Sequence, residues 1–381
     1  MALATENVPV VAKPTGTATS GAGSSRPPRL LALDGLRLVC ALAVAGYHFG
    51  DSWRLDGVRP PAQHLPHAAP VLIYGFLGVE VFFLISGFVI CMSAWGRSVR
   101  SFAASRVARL YPAFWVGVVL TAVVITVLPV TVGVPVSGTP SLGEVVVNLS
   151  MLAEPLNTPL VDTVYWTLWV ELRFYLIMMF LVGTGLTDRR VRVFGTAWLA
   201  AAVVLPLFPG APLREVVMPD FAPYFVAGMT MLLLRRSRHD RWSWVLLACC
   251  WLVSLQHVEV RTLDLKPGFV VPVWPALVLI TGAYGVLLAI ALGVTDRLDW
   301  RWLGTAGALT YPFYLLHQRI GYSLIRTAQA HTELPAWVLI AGAVAILLTA
   351  AWLVHRLVER PLAPLLRRWI GTGRLAGRIG V

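Results

Sequence analysis

Ten apolar stretches, separated by short polar loops, decide what this chain can become. They fall at 31–50, 71–95, 110–130, 164–183, 193–207, 221–234, 244–256, 270–292, 303–325 and 335–355. Most reach the roughly 20 residues a helix needs to cross a bilayer's hydrocarbon core. The fifth, sixth and seventh are short and open to re-cutting. Only 13% of the residues are charged and 57% are hydrophobic, whereas a soluble domain carries about 25% charged residues. So much apolar surface exceeds what one aqueous core hides. In lipid, each backbone N–H and C=O must pair within the chain, and stretches of this length do so as helices. The expected fold class is an all-α integral membrane protein with about ten transmembrane helices in one bundle. Residues 144–152, inside the long loop before the fourth stretch, read as an interfacial or re-entrant piece.

The loops sort by charge. Arg97, Arg100, Arg106 and Arg109; Arg189, Arg190 and Arg192; Arg235, Arg236, Arg238 and Arg241; and Arg297 and Arg301 fall in every second loop. Lys13, Arg26 and Arg29 precede the first stretch, and six arginines follow from Arg356 onward. The remaining loops hold only Arg54, Arg59, Arg214, Arg261, Lys266 and Arg326, and residues 131–163 hold none. By the positive-inside rule both termini are cytoplasmic and the helix count is even. The net charge of +12 is thus spent on orientation and calls for no nucleic acid. Residues 1–28, rich in Thr, Ser, Gly, Ala and Pro, read as a disordered cytoplasmic tail. Residues 29–364 form the membrane domain, and 365–381 a basic cytoplasmic tail. Cys40, Cys91, Cys249 and Cys250 all lie in apolar stretches, where burial is the default. Arginine almost wholly replaces lysine, which hints at a GC-rich genome. The expected location is the cell membrane, multi-pass, in a bacterial plasma membrane.

Several polar residues interrupt the apolar stretches. Arg37 and His48 are eleven residues apart on the first, so they share a helix face roughly 16 Å apart along the axis. Charges at such depth cost about 3 kcal/mol or more and usually mark function, although Arg37 snorkelling and His48 capping the far end would also account for them. An unperturbed histidine titrates near pH 6.5, so His48 is a candidate general base. Asp34, one turn before Arg37, either pairs with it or caps the helix. It lies too far along the helix to orient His48, so any carboxylate partner comes from another helix. Glu80 stands in the run Gly75–Phe88, as either a hydrogen-bonded packing residue or a functional acid. Ser86 suits a bond across the bundle. Arg106 and Arg109 share a face and suit a phosphate-bearing ligand or anchor the helix at lipid headgroups. Trp166 and Trp169 suit the outer aromatic belt. Glu171 and Arg173 point to different faces, so Glu171 is free to meet another helix. Tyr311 opens the segment ending at His317, which is either a second functional imidazole or a core histidine bonded to a backbone carbonyl. No metal-ligand cluster stands out, and no Gly-x-Ser-x-Gly suggests a covalent serine.

Taken together, these segments resemble the acyltransferase 3 family of membrane proteins. The resemblance rests on Leu33-Asp-Gly-Leu-Arg37 with His48, the Gly78-Val-Glu80 run to Ser86-Gly87-Phe88, Arg106-Val-Ala-Arg109, Trp166-Thr-Leu-Trp-Val-Glu171, Tyr311-Pro-Phe-Tyr-Leu-Leu-His317 and Glu359-Arg-Pro361, all in order. It implies transfer of an acyl group from acyl-CoA, with acetyl-CoA the expected donor, to a hydroxyl of a sugar, polysaccharide or natural product such as a macrolide. It also implies that Arg37 and His48 are the core catalytic pair and that Arg106 and Arg109 bind acyl-CoA, and Glu171 is expected as a third catalytic residue. Asp34, Glu80, Ser86, Trp166, Tyr311 and His317 support them. Acyl-CoA would be a co-substrate, with no tightly bound cofactor and no metal. The partners are then the donor, the hydroxyl-bearing acceptor and membrane lipids. The rival reading is an ion-coupled transporter of a small molecule or glycolipid, using the same buried charges.

Overall fold

The computed structural model describes residues 30–208, 210–211, 213–266 and 270–372. The tail assigned to 1–28 and the end of the basic tail, 373–381, lie outside the described residues. The long helices are α1 (Leu31–Gly50), α2 (Gly78–Ala94), α3 (Val99–Val127), α4 (Trp166–Thr184), α5 (Asp188–Val204), α6 (Ala222–Arg236), α7 (Arg241–Leu263), α8 (Val273–Ala291), α9 (Arg301–Leu316), α10 (Gln318–His331), α11 (Ala336–Val354) and α12 (Arg360–Thr372). Among the described residues there is no strand, and nine helical segments are long and apolar enough to cross a membrane. The protein is therefore a multi-pass helical membrane protein.

The stretch 303–325 differs from a single span. It is two helices, α9 and α10, meeting at the fully buried His317. The short apolar stretches become full spans because their helices run on into polar residues. The seventh, for example, extends through Arg261 to Leu263. Residues 144–152 do contain a short helix, Leu142–Asn148, closed by a capping box between Ser141 and Glu144. Of the cysteines, Cys40, Cys91 and Cys250 are buried, but Cys249 is exposed on an apolar groove between α5 and α7. In a bilayer that face meets lipid, so apolarity need not mean burial in protein.

Packing sets the site from the middle outward. α6 lies closely against α2, while α1 lies against α9 and α12 against α3. Between α11 and α12, residues His355–Glu359 form a π-turn, a wide turn that often redirects a functional side chain. Here it brings Glu359 to 2.6 Å from His355 Nδ1 and 3.7 Å from the Arg109 guanidinium.

Candidate active site

A cavity of about 110 Å³ opens among α1, α2, α3, α4 and α9. Six residues singled out from the sequence line it: Arg37, Ser86, Arg106, Arg109, Glu171 and Tyr311. They come from four different helices and α9 beside them, and all but Ser86 are half-buried around the cavity. Glu171 Oε1 accepts a 2.6 Å hydrogen bond from Tyr175 and a 3.4 Å bond from Ser86 Oγ. Arg173 points elsewhere, to Glu215 at 2.7 Å, as the two-residue offset requires. Arg106 lies over the rings of Phe102 and Tyr175, and Arg109 over Tyr311, at 5.6–5.8 Å. These cation–π contacts fix both guanidinium groups at the end of the cavity nearest the arginine-rich loops. Tyr311 donates to the carbonyl of Leu110 at 3.1 Å, tying α9 to α3. Asp34 is buried in the first turn of α1, with its side chain against Gly307.

His48 is not in this cavity. α1 runs unbroken from Leu31 to Gly50, which keeps the roughly 16 Å between Arg37 and His48. His48 Nδ1 meets Ser52 Oγ at 3.0 Å and the Gln318 amide at 3.1 Å. Ser52 in turn contacts the hydroxyl of Tyr322 at 2.9 Å, and Tyr322 stacks on Trp53. The partners that orient His48 are therefore neutral, not a carboxylate from another helix. The carboxylate nearby, Asp162, accepts the backbone N–H of Arg319 at 3.0 Å. Thr163 donates to Gln318, so the start of α4 is fastened to the break between α9 and α10.

The two places are joined through His317. Its Nδ1 bonds the carbonyl of Tyr314 at 2.7 Å, as expected of a core histidine. Yet its Nε2 is buried without a hydrogen-bond partner, and its ring centroid is 5.3 Å from that of His48. Tyr314 lines the cavity and shares a 3.0 Å hydrogen bond with Thr167. A line of polar groups thus runs from the arginine cavity through Tyr314 and His317 to His48. Trp166 and Glu80 lie off this line, in a second chamber, where Glu80 forms an ion pair with Arg261. Sequence reasoning missed Tyr175, Thr167, Tyr314, Ser52, Gln318 and Glu359 as site residues. Thr167, Tyr314 and Glu359 carried a signal, since they lie in Trp166-Thr-Leu-Trp-Val-Glu171, Tyr311-Pro-Phe-Tyr-Leu-Leu-His317 and Glu359-Arg-Pro361.

A multi-helix membrane bundle with a cationic inner cavity and a remote, neutrally held histidine defines the class of protein. The chain belongs to the acyltransferase family: residues 30–356 match the family described as Acyltransferase domain. It is similar to Acyltransferase MdmB of Streptomyces mycarofaciens, with 28% identity over 377 residues covering 90% of this chain and 94% of that protein. No solved structure matches it. The protein is a membrane enzyme that transfers acyl groups.

Proposed function

We propose that the enzyme moves an acyl group from acyl-CoA to a hydroxyl of a sugar, polysaccharide or natural product such as a macrolide, in a bacterial plasma membrane. The observation that carries this reading is the gathering of Arg37, Arg106, Arg109 and Glu171 from three helices into one narrow cavity. At about 110 Å³ it is smaller than the roughly 300–1,000 Å³ of a pocket for a compact ligand. It suits a slender chain, such as the pantetheine arm of CoA, with the phosphates held at Arg106 and Arg109. The roughly 16 Å from Arg37 to His48 is then spanned by the arm, which delivers the thioester past Tyr314 and His317.

At that end His48 acts as general base. Gln318 donates its amide N–H to Nδ1 at 3.1 Å, and Ser52 Oγ lies 3.0 Å from the same nitrogen, so the pair holds the ring in place. The neutral imidazole takes the proton of the acceptor hydroxyl as its oxygen attacks the thioester carbonyl. Collapse breaks the C–S bond, and the leaving thiolate receives that proton from His48. The products are the acyl ester and free CoA, and the histidine is restored. The same reading puts the arginine-rich end of the bundle in the cytoplasm, where CoA is found.

Two experiments test this. Changing Arg106 and Arg109 together to Gln is expected to raise KM for acyl-CoA by at least about tenfold while leaving the acceptor KM unchanged, because each charged hydrogen bond is worth about 1.5–3 kcal/mol. Lys at both sites should restore only part, since lysine lacks the planar fork. An unchanged donor KM in a normally inserted double mutant returns both residues to the role of headgroup anchors. For orientation, single cysteines introduced at Ser137 and Ser237 are expected to react with an impermeant maleimide from outside and from inside, respectively. The reverse pattern overturns the cytoplasmic placement of the arginine-rich end.

A further inference from the structure

A second chamber, of about 700 Å³, lies beside the arginine cavity among the ends of α4, α5, α6 and α7. Phe83 separates the two: it lines the first cavity, and its ring is 6.3 Å from Trp166 and 5.1 Å from Phe221, which line the second. A run of contacts leads from the chamber toward His48. The Arg261 guanidinium lies over Phe76, Phe76 packs on Tyr47, and the Tyr47 ring is 5.2 Å from that of His48.

The charge balance of the chamber is the reverse of the first. Its described lining holds the carboxylates of Glu80, Asp220 and Asp264 against the guanidinium groups of Arg214 and Arg261. The first cavity sets three arginines against Glu171. Glu80 is only 2% exposed, and one of its oxygens pairs with Arg261 while Oε2 has no hydrogen-bond partner. A buried carboxylate oxygen left in this state is costly unless a ligand donates to it. His257 Nδ1, on the same wall, is also buried and unpartnered. Flat aromatic faces beside hydrogen-bonding groups suit a ring with an apolar face and polar edges.

We propose that this chamber is the acceptor's binding site, and that it takes a hydroxyl-rich, non-anionic ring whose hydroxyl donates to Glu80 Oε2 and whose face rests on Trp166 and Phe221. The inference rests on the acyl-transfer reading above and adds where the acceptor sits and which charge it does not carry. A glycoside with a carboxylate would meet Glu80 and its acidic neighbours and be repelled.

The test uses the full chain in liposomes with acetyl-CoA and two acceptors, methyl β-D-glucoside and methyl β-D-glucuronide. Transfer to the glucoside is expected to exceed transfer to the glucuronide by at least about tenfold in kcat/KM, the size of one lost charged hydrogen bond. Glu80→Gln should raise the glucoside KM by about the same factor and leave the acetyl-CoA KM unchanged. Trp166→Leu, which keeps the Glu80–Arg261 pair, should do likewise and serves if Glu80→Gln fails to insert. Equal use of both glycosides, use of neither, or an unchanged glucoside KM in the inserted variants overturns the proposal. Release of CoA in membranes of the enzyme's own cells is measured in parallel. Its absence there would overturn the acyl-transfer reading itself, whereas its presence together with any of the former results overturns only the acceptor site.

Discussion

His48→Ala is expected to lower acyl transfer by at least about 10²-fold, since a positioned general base is typically worth 10²–10⁴, while the protein still inserts and accumulates. The imidazole stands at the end of an unbroken α1, and the hydrogen-bond partners of its Nδ1 are two side chains, Ser52 and Gln318, neither of which carries charge. Truncation therefore leaves no buried ion behind, and the fold should survive it. His67 is the control: it is exposed in the loop after α1, and its alanine variant should turn over normally. His64 is a weaker control because its ring lies 3.5 Å from Asp56. CoA release and acylated product are measured together for wild type and each variant. Ser52→Ala should show a smaller loss that falls on kcat, because Ser52 orients the ring and does not touch the reactants. Normal turnover by His48→Ala would move the base elsewhere, His317 being the next imidazole along the line.

The bundle and half of its chemistry were legible because both are local. Hydropathy marks a span within some 20 residues, and Arg106 and Arg109 declare a shared face by their spacing alone. Six of the polar residues that break apolar stretches converge on one cavity, and they do so for the same reason that they stand out: lipid leaves them nowhere else to go. What was hidden is what depends on distant pairing. Gln318 meets His48 across 270 residues and Arg261 meets Glu80 across 181, and neither end of either pair announces its partner. Arg261 read as a loop charge because α7 outlasts its apolar stretch by nearly two turns. The break at His317 was invisible because 303–325 stays apolar on average through it. A lapse in the helix ladder has no hydropathy signature.

The crossing of α2 and α6 gives the largest expected structural effect. A Cβ at Gly228 would lie 2.1 Å from the Leu84 carbonyl oxygen and 2.6 Å from the Phe88 nitrogen. A Cβ at Gly87 would lie 2.2 Å from the carbonyl oxygen of Phe225. Both obstacles are backbone, so no side chain can rotate away and the helices themselves must part. Small residues at such a crossing are what allow membrane helices to pack without a hydrophobic driving force. The crossing also carries function, because α2 presents Phe83 and Ser86 to the cavity from the turn beside Gly87. Gly228→Ala is therefore expected to destabilise the protein by about 1–3 kcal/mol, the usual cost of overpacking. Gly228→Leu should fail to yield a folded bundle at all. Gly342, on α11 with nothing within 4 Å of an added Cβ, is the matched control, and its alanine variant should be neutral or more stable by up to about 1 kcal/mol. Thermal midpoints in one detergent, with transfer activity read on the surviving fraction, separate the outcomes. Gly228→Ala should lose midpoint and activity together, since displacing α2 moves the wall between the two chambers. Wild-type values for both would mean that the backbones do not meet at this crossing.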